Sequence, residues 1–239
     1  MIPWSALLLA TLLLVGFLAY LGFRLHSLFG ISAALVATSQ TYQRMLPNPT
    51  LTILVLGDST AVGTGGTPET SVAGRLGDKF PTASVYNFGI NGEKLSDFDV
   101  QMNTLNIQKA DVVVLQIGAN DIVHFTPISE IEAKLKDVLA KAKKISGNVV
   151  VLHSGSVGDA PLLWPLGFIW NIRTQAVRHI YLRDVPAAGA IYVDLVASET
   201  DVTFANNPKK YYAPDMFHPS SDGYGLWFDE VVKVLPKTM

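Results

Sequence analysis

Five short runs of apolar, mostly β-branched residues recur between helix-length segments, and this alternation constrains the fold more than any other feature of the chain. The runs are Leu51 to Leu56, Ala83 to Phe88, Asp111 to Ile117, Asn148 to His153 and Ala190 to Val193. Between and after them lie segments with helical patterning: Ser71 to Phe80, Leu95 to Leu105, Ile128 to Ile145, Trp170 to Val185 and Ser221 to Val234. A strand that is apolar on both faces must be covered on both faces, as in a parallel sheet held between layers of helices. The expected fold is α/β, a three-layer α/β/α sandwich around a five-stranded parallel sheet.

The N-terminus follows different rules. No charged side chain occurs from Met1 to Phe23, and Arg24 ends the apolar run. At about 1.5 Å per residue, such a helix covers the hydrocarbon core of a bilayer, about 30 Å thick. A cleaved signal peptide is the rival reading, but Lys and Arg are missing ahead of the apolar stretch, which is also longer than a typical signal core. We therefore expect residues 1–23 to be a single-pass transmembrane anchor in contact with the lipid bilayer. Residues 24–50 then form a juxtamembrane helix and linker, broken by Pro47-Asn48-Pro49, and residues 51–239 form one catalytic domain. Arg24, His26 and Arg44 after the span lean toward a cytosolic domain by the positive-inside rule, and the side is left open.

With no cysteine, disulfides and thiolate metal sites are excluded. The net charge is −2 and the densest lysine run, Lys134 to Lys144, shares one helical segment with Glu130, Glu132 and Asp137, so nucleic acid is not an expected partner.

Three motifs carry the chemistry. Gly57-Asp58-Ser59 directly follows the first run, Gly118-Ala119-Asn120-Asp121 the third, and Asp215-Met216-Phe217-His218 lies near the C-terminus. Ligands of open α/β sheets gather at the carboxyl ends of the strands, so the first two motifs are expected on one rim. Ser59 is a candidate nucleophile, His218 its base and Asp215 the group that orients the imidazole. Asn120 could offer an amide N–H to an oxyanion, with a second donor from the glycine-containing loop Asn87 to Gly92. His26, His124, His153 and His179 lack a carboxylate at useful local spacing. A nucleophile elbow of the Gly-x-Ser-x-Gly type fails at Ala61, a phosphate-binding loop lacks its Lys, and no His-Glu-x-x-His occurs, so neither a metal nor another cofactor is expected.

Taken together, these blocks resemble the SGNH hydrolases, or GDSL esterase/lipase family. Gly57-Asp58-Ser59 matches the first block, Gly92 within Gly89-Ile90-Asn91-Gly92 the second, Gly118-Ala119-Asn120-Asp121 the third and Asp215 to Pro219 the last. The resemblance implies a flavodoxin-like arrangement of the sheet, a Ser59–His218–Asp215 triad, and an oxyanion hole from the backbone N–H groups of Ser59 and Gly92 with the Asn120 side chain. It also implies an ester substrate, either a lipid or an O-acylated carbohydrate. Thr60 stands where the family name has Leu, a position expected to add no chemistry. The apolar Leu162 to Phe168 stretch either flanks the cleft as a lid or packs the start of the next helix. The reading from a different class is a membrane-tethered binding protein that keeps the fold without turnover.

Overall fold

The computed structural model describes residues 3–236; the first two residues of the expected anchor and the last three of the expected catalytic domain lie outside them. In chain order, the elements are α1 (Trp4–Thr38), β1 (Leu51–Gly57), α2 (Ser59–Val62), α3 (Val72–Lys79), β2 (Ala83–Asn87), α4 (Phe98–Thr104), β3 (Val112–Gln116) and α5 (Ala119–Val123). There follow α6 (Ile128–Ile145), β4 (Asn148–Leu152), α7 (Gly167–Ala187), β5 (Ile191–Val193), α8 (Glu199–Asn206), α9 (Pro208–Tyr211) and α10 (Ser221–Val234).

All five strands are parallel, in the order β2-β1-β3-β4-β5. Side chains alternate across the pleat, so each central strand feeds two cores. From β1, Ile53 and Val55 point to one face, where they pack with Val72 and Leu76 of α3 and Tyr224 and Trp227 of α10. Leu54 and Leu56 point to the other, with Phe98 of α4, Leu135 of α6 and Tyr181 of α7. All four β1 side chains are fully buried, which explains why the run shows no polar alternation. The strand order makes β1 and β3 neighbours while their following connections leave in opposite directions. A crevice opens between such loops at the carboxyl ends of the two strands.

Helix α1 runs unbroken from the apolar N-terminal segment through Thr38, so Phe23 marks a change of composition and not of secondary structure. Trp4 to Tyr20 are exposed on every side. From Leu21 onward one stripe, including Leu25, Leu28, Ser32 and Leu35, is half-buried against the domain. The segment after α1 is also held. Arg44 exchanges backbone hydrogen bonds with Val85 at the free edge of β2, and its guanidinium donates to the carbonyls of Gly77 (2.6 Å) and Phe80 (2.5 Å), closing the end of α3.

Candidate active site

The turn after β1 is built for close approach. Gly57 has φ +139°, and a Cβ there would lie 1.9 Å from the carbonyl oxygen of Gln116 on β3, so the chain can leave the sheet here only as glycine. Asp58 then caps α2, its Oδ1 accepting from the Thr60 N–H (2.9 Å) and hydroxyl (2.8 Å). Thr60 is therefore not idle, since leucine could not make the second bond. Burial pushes the Asp58 carboxyl up to about 6 against those two bonds. Ser59 opens α2 at the floor of the crevice.

Across the switch point, Gly118 (φ +117°) turns the chain after β3 under the Tyr181 hydroxyl, which donates to the Ile117 carbonyl at 3.0 Å. Asn120 follows at the start of α5. His218 arrives by another route, on the loop between α9 and α10. Asp215 Oδ1 accepts the backbone N–H groups of Phe217 and His218, each at 3.1 Å, around Met216 in a left-handed conformation (φ +57°). This local turn fixes the carboxylate and the imidazole relative to each other before either meets the sheet.

Ser59, His218 and Asp215 form one continuous run of hydrogen bonds. Asp215 Oδ2 lies 2.6 Å from His218 Nδ1, and His218 Nε2 lies 3.0 Å from Ser59 Oγ. With the Nδ1 proton donated to the carboxylate, the Nε2 lone pair faces the serine hydroxyl. Burial raises the Asp215 carboxyl, but the hydrogen bond and charge of His218, helped by the two backbone N–H groups, outweigh it and hold the group below the ordinary carboxylate value.

Ser59, Gly92 and Asn120 border the same cavity. Among the described residues, the backbone N–H groups of Ser59 and Gly92 have no hydrogen-bond acceptor. Asn120 donates one amide proton to the Glu93 carbonyl at 2.9 Å, which leaves its second N–H free. Ser59 is buried, Asn120 half-buried and Gly92 exposed, and three donors left free on one cavity suit an anionic oxygen. The two glycines of the second block now separate. A Cβ on Gly89 would strike the Val62 nitrogen at 2.8 Å, whereas one on Gly92 would meet nothing within 4 Å, so Gly89 packs against α2 and Gly92 faces open space.

Sequence reasoning missed the support beneath this loop. Gln101 of α4 is buried, accepts from the Gly57 N–H (2.9 Å), donates to the Gly57 carbonyl (2.5 Å) and hydrogen-bonds the Glu93 carboxyl. It thereby ties the turn before Ser59 to the loop that carries Gly92. Burial, reinforced by Asp97 and Asp58, pushes the Glu93 carboxyl up to about 7. The one available signal was a glutamine on the inward face of a short amphipathic helix. His153, by contrast, is a core residue: it stacks edge-on to Tyr181, and burial pushes it down to about 4.

The cavity over Ser59 is about 440 Å³, within the usual range for small-molecule sites, and its walls are mostly apolar. A second cavity of about 50 Å³ meets it at Ser59, Asn120 and His218 and is lined by Ser154, Ser156 and Asp201. The Leu162 to Phe168 stretch divides between the two roles weighed for it. Leu162 is buried, while Trp164, which borders the cavity, and Phe168 are exposed.

Residues 55–226, which include Ser59, Gly92, Asn120, Asp215 and His218, match the GDSL-like lipase/acylhydrolase family. No relative is matched among curated protein sequences. Among solved structures, the acetylxylan esterase Axe2 of Geobacillus stearothermophilus is 21% identical over 79% of this chain and 95% of its own, with a TM-score of 0.55. A lipolytic protein of the G-D-S-L family from Veillonella parvula is 15% identical over 78% of this chain and 98% of its own (TM-score 0.59). The acetyl xylan esterase AlAXEase is 18% identical over 78% and 100% (TM-score 0.60). At these identities the likeness is one of fold. The family match extends from within β1 into α10 and spans all four motif blocks, so the chain belongs to the GDSL-like lipase/acylhydrolase family.

Proposed function

We propose that this chain is a membrane-anchored serine hydrolase of carboxylic esters, with Ser59 as nucleophile, His218 as general base and acid, and Asp215 as the group that orients and stabilises the imidazolium. The observation that carries the reading is the hydrogen-bonded run Asp215–His218–Ser59 at the floor of an open cavity. Ser59 Oγ attacks the ester carbonyl as its proton passes to His218 Nε2. The carbonyl oxygen becomes an oxyanion, held by the Ser59 and Gly92 N–H groups and the free Asn120 amide proton. Collapse breaks the bond to the alcohol oxygen, which takes the proton from Nε2. Water then attacks the acyl-serine, gives a proton to Nε2, and the acid leaves as Ser59 recovers that proton.

Residues 1–23 serve as the anchor, 24–50 as the connection and 51–239 as the catalytic domain. Support for the anchor comes from the long apolar α1, in which every residue from Trp4 to Tyr20 is exposed. A fluorophosphonate probe added to lysed, fractionated cells is expected to label Ser59, and the labelled full-length chain to sediment with membranes. Labelling that avoids Ser59 overturns the chemistry, and labelled, intact chain in the soluble fraction overturns the anchor.

Asn120→Ala is expected to lower kcat by about 100- to 1,000-fold, the effect of removing one oxyanion donor, with a much smaller change in KM. A kcat within threefold of the parent would remove Asn120 from the proposed site.

A further inference from the structure

Helix α1 does more than lead into the domain. Leu21, Leu25, Phe29, Ser32 and Val36, spaced so that they share one helix face, form a wall of the 440 Å³ cavity over Ser59. The opposite wall is the Leu162 to Leu166 segment with Trp170. Two contacts hold the walls together at the end nearer the N-terminus. The Arg24 guanidinium donates to the carbonyls of Pro161 and of Leu162 (3.1 Å), and Phe17 meets Trp164 edge-to-face with ring centroids 6.2 Å apart. At the other end Asn91, next to Gly92, donates to the Ser39 hydroxyl at 2.9 Å.

These contacts fix where the cavity opens. Phe17 is seven residues, about 10 Å of helix, on the apolar side of Arg24. Trp164 therefore sits at the level of the segment that would lie in hydrocarbon. Around it Trp164, Leu166, Phe168 and Ile172 are 53%, 51%, 61% and 70% exposed, a cluster of large apolar side chains that water does not favour. Beside an apolar helix leaving the domain, such a cluster fits the headgroup and acyl boundary of a bilayer. Arg24, its guanidinium turned onto protein carbonyls, is suited to that boundary too.

We propose that the anchor helix is itself part of the substrate site, and that the substrate is a bilayer-resident ester whose hydrocarbon chain lies between α1 and the Leu162 to Leu166 segment. The proposal rests on the ester-hydrolase reading above and narrows it from any ester to an amphiphile with one long apolar arm. The chain enters sideways from the leaflet, past Trp164 and Leu21, without crossing water. The second cavity, about 50 Å³ and bordered by Phe204 and Trp227 as well as Ser154, Ser156 and Asp201, suits a short arm. The geometry suits a long-chain acyl group on a small alcohol and a short acyl group on a long-chain alcohol equally, so the shared chemistry is the hydrocarbon chain.

The test uses the full-length protein reconstituted in phosphatidylcholine vesicles. Two substrate series are compared: nitrophenyl esters from acetate to decanoate, and acetates of alcohols from ethanol to decanol. In at least one series kcat/KM is expected to rise tenfold or more with chain length, and the series that rises identifies the arm held by α1. Leu25→Trp, which narrows the cavity between its two walls, is expected to lower that long-to-short ratio at least tenfold. Phe29→Ala changes an exposed wall residue with little risk to folding and is expected to shift the ratio at least threefold. The proposal is overturned if neither series rises, if both variants leave the ratio unchanged, or if an acetylated xylo-oligosaccharide is hydrolysed faster than every chain-bearing ester. Hydrolysis that depends on Ser59 but prefers short esters removes only this proposal. Hydrolysis that survives Ser59→Ala removes the serine-hydrolase reading beneath it as well.

Discussion

Replacing Ser59 by alanine is expected to lower kcat toward any ester by about 10⁴- to 10⁶-fold while leaving the fold intact. The change deletes one oxygen, whose side-chain partner among the described residues is His218 Nε2 at 3.0 Å. Helix α2 keeps its start, because the cap is supplied by Asp58 and not by Ser59. Loss of activity would therefore report chemistry and not unfolding, and an unchanged thermal midpoint should accompany it. His218→Ala alone should cost a similar factor, since an unassisted hydroxyl is a poor nucleophile near neutral pH. The double variant should be little worse than either single one, because a nucleophile without its base and a base without its nucleophile fail at the same step. Losses that multiply in the double variant would mean that the two residues act independently. Unaltered turnover in Ser59→Ala would move the nucleophile elsewhere.

The fold was legible because a strand covered on both faces leaves an apolar run with no alternation. Ile53 and Leu54 are adjacent, face opposite cores and are both fully buried. Ser59 and Asn120 were placed on one rim for the same reason: each follows directly on such a run, and all five strands point the same way. His218 follows no strand, so periodicity says nothing about its approach. Its position depends on an Asp215-centred turn with a left-handed methionine, which local composition does not advertise. The Gln101 support was hidden because a polar residue on the inner face of a short helix is indistinguishable, by pattern alone, from a break in amphipathicity. At the N-terminus, charge and helix disagree. Arg24 ends the apolar run but does not end α1, because arginine is a good helix former, and its guanidinium reaches backbone carbonyls in the Pro161 to Leu162 turn.

Asp215→Asn should cost about 10⁴-fold in kcat with almost no change in structure. The amide oxygen can still accept from the Phe217 and His218 N–H groups, so the local turn survives. What reverses is the polarity toward the imidazole. An amide NH₂ facing His218 Nδ1 donates where the carboxylate accepted, which holds the ring in the tautomer with its proton on Nε2. That proton then points at Ser59 Oγ, and the base has no lone pair to offer. Asp215→Ala removes the turn acceptor as well and should also destabilise the fold, by about 1–3 kcal/mol for the buried N–H groups left unpaired. The two variants thus separate orientation of the base from support of the loop. Acid unfolding gives an independent readout of the same carboxylate. Its folded value lies below the ordinary 3.8, so the stability it contributes is present above 3.8 and is lost as pH falls through the lower folded value. The asparagine variant has no proton to gain there, so its thermal midpoint should fall less steeply than the parent's below about pH 4. Equal slopes would place the acid sensitivity in other carboxylates, and a kcat within tenfold of the parent would show that Asp215 does not set the tautomer of His218.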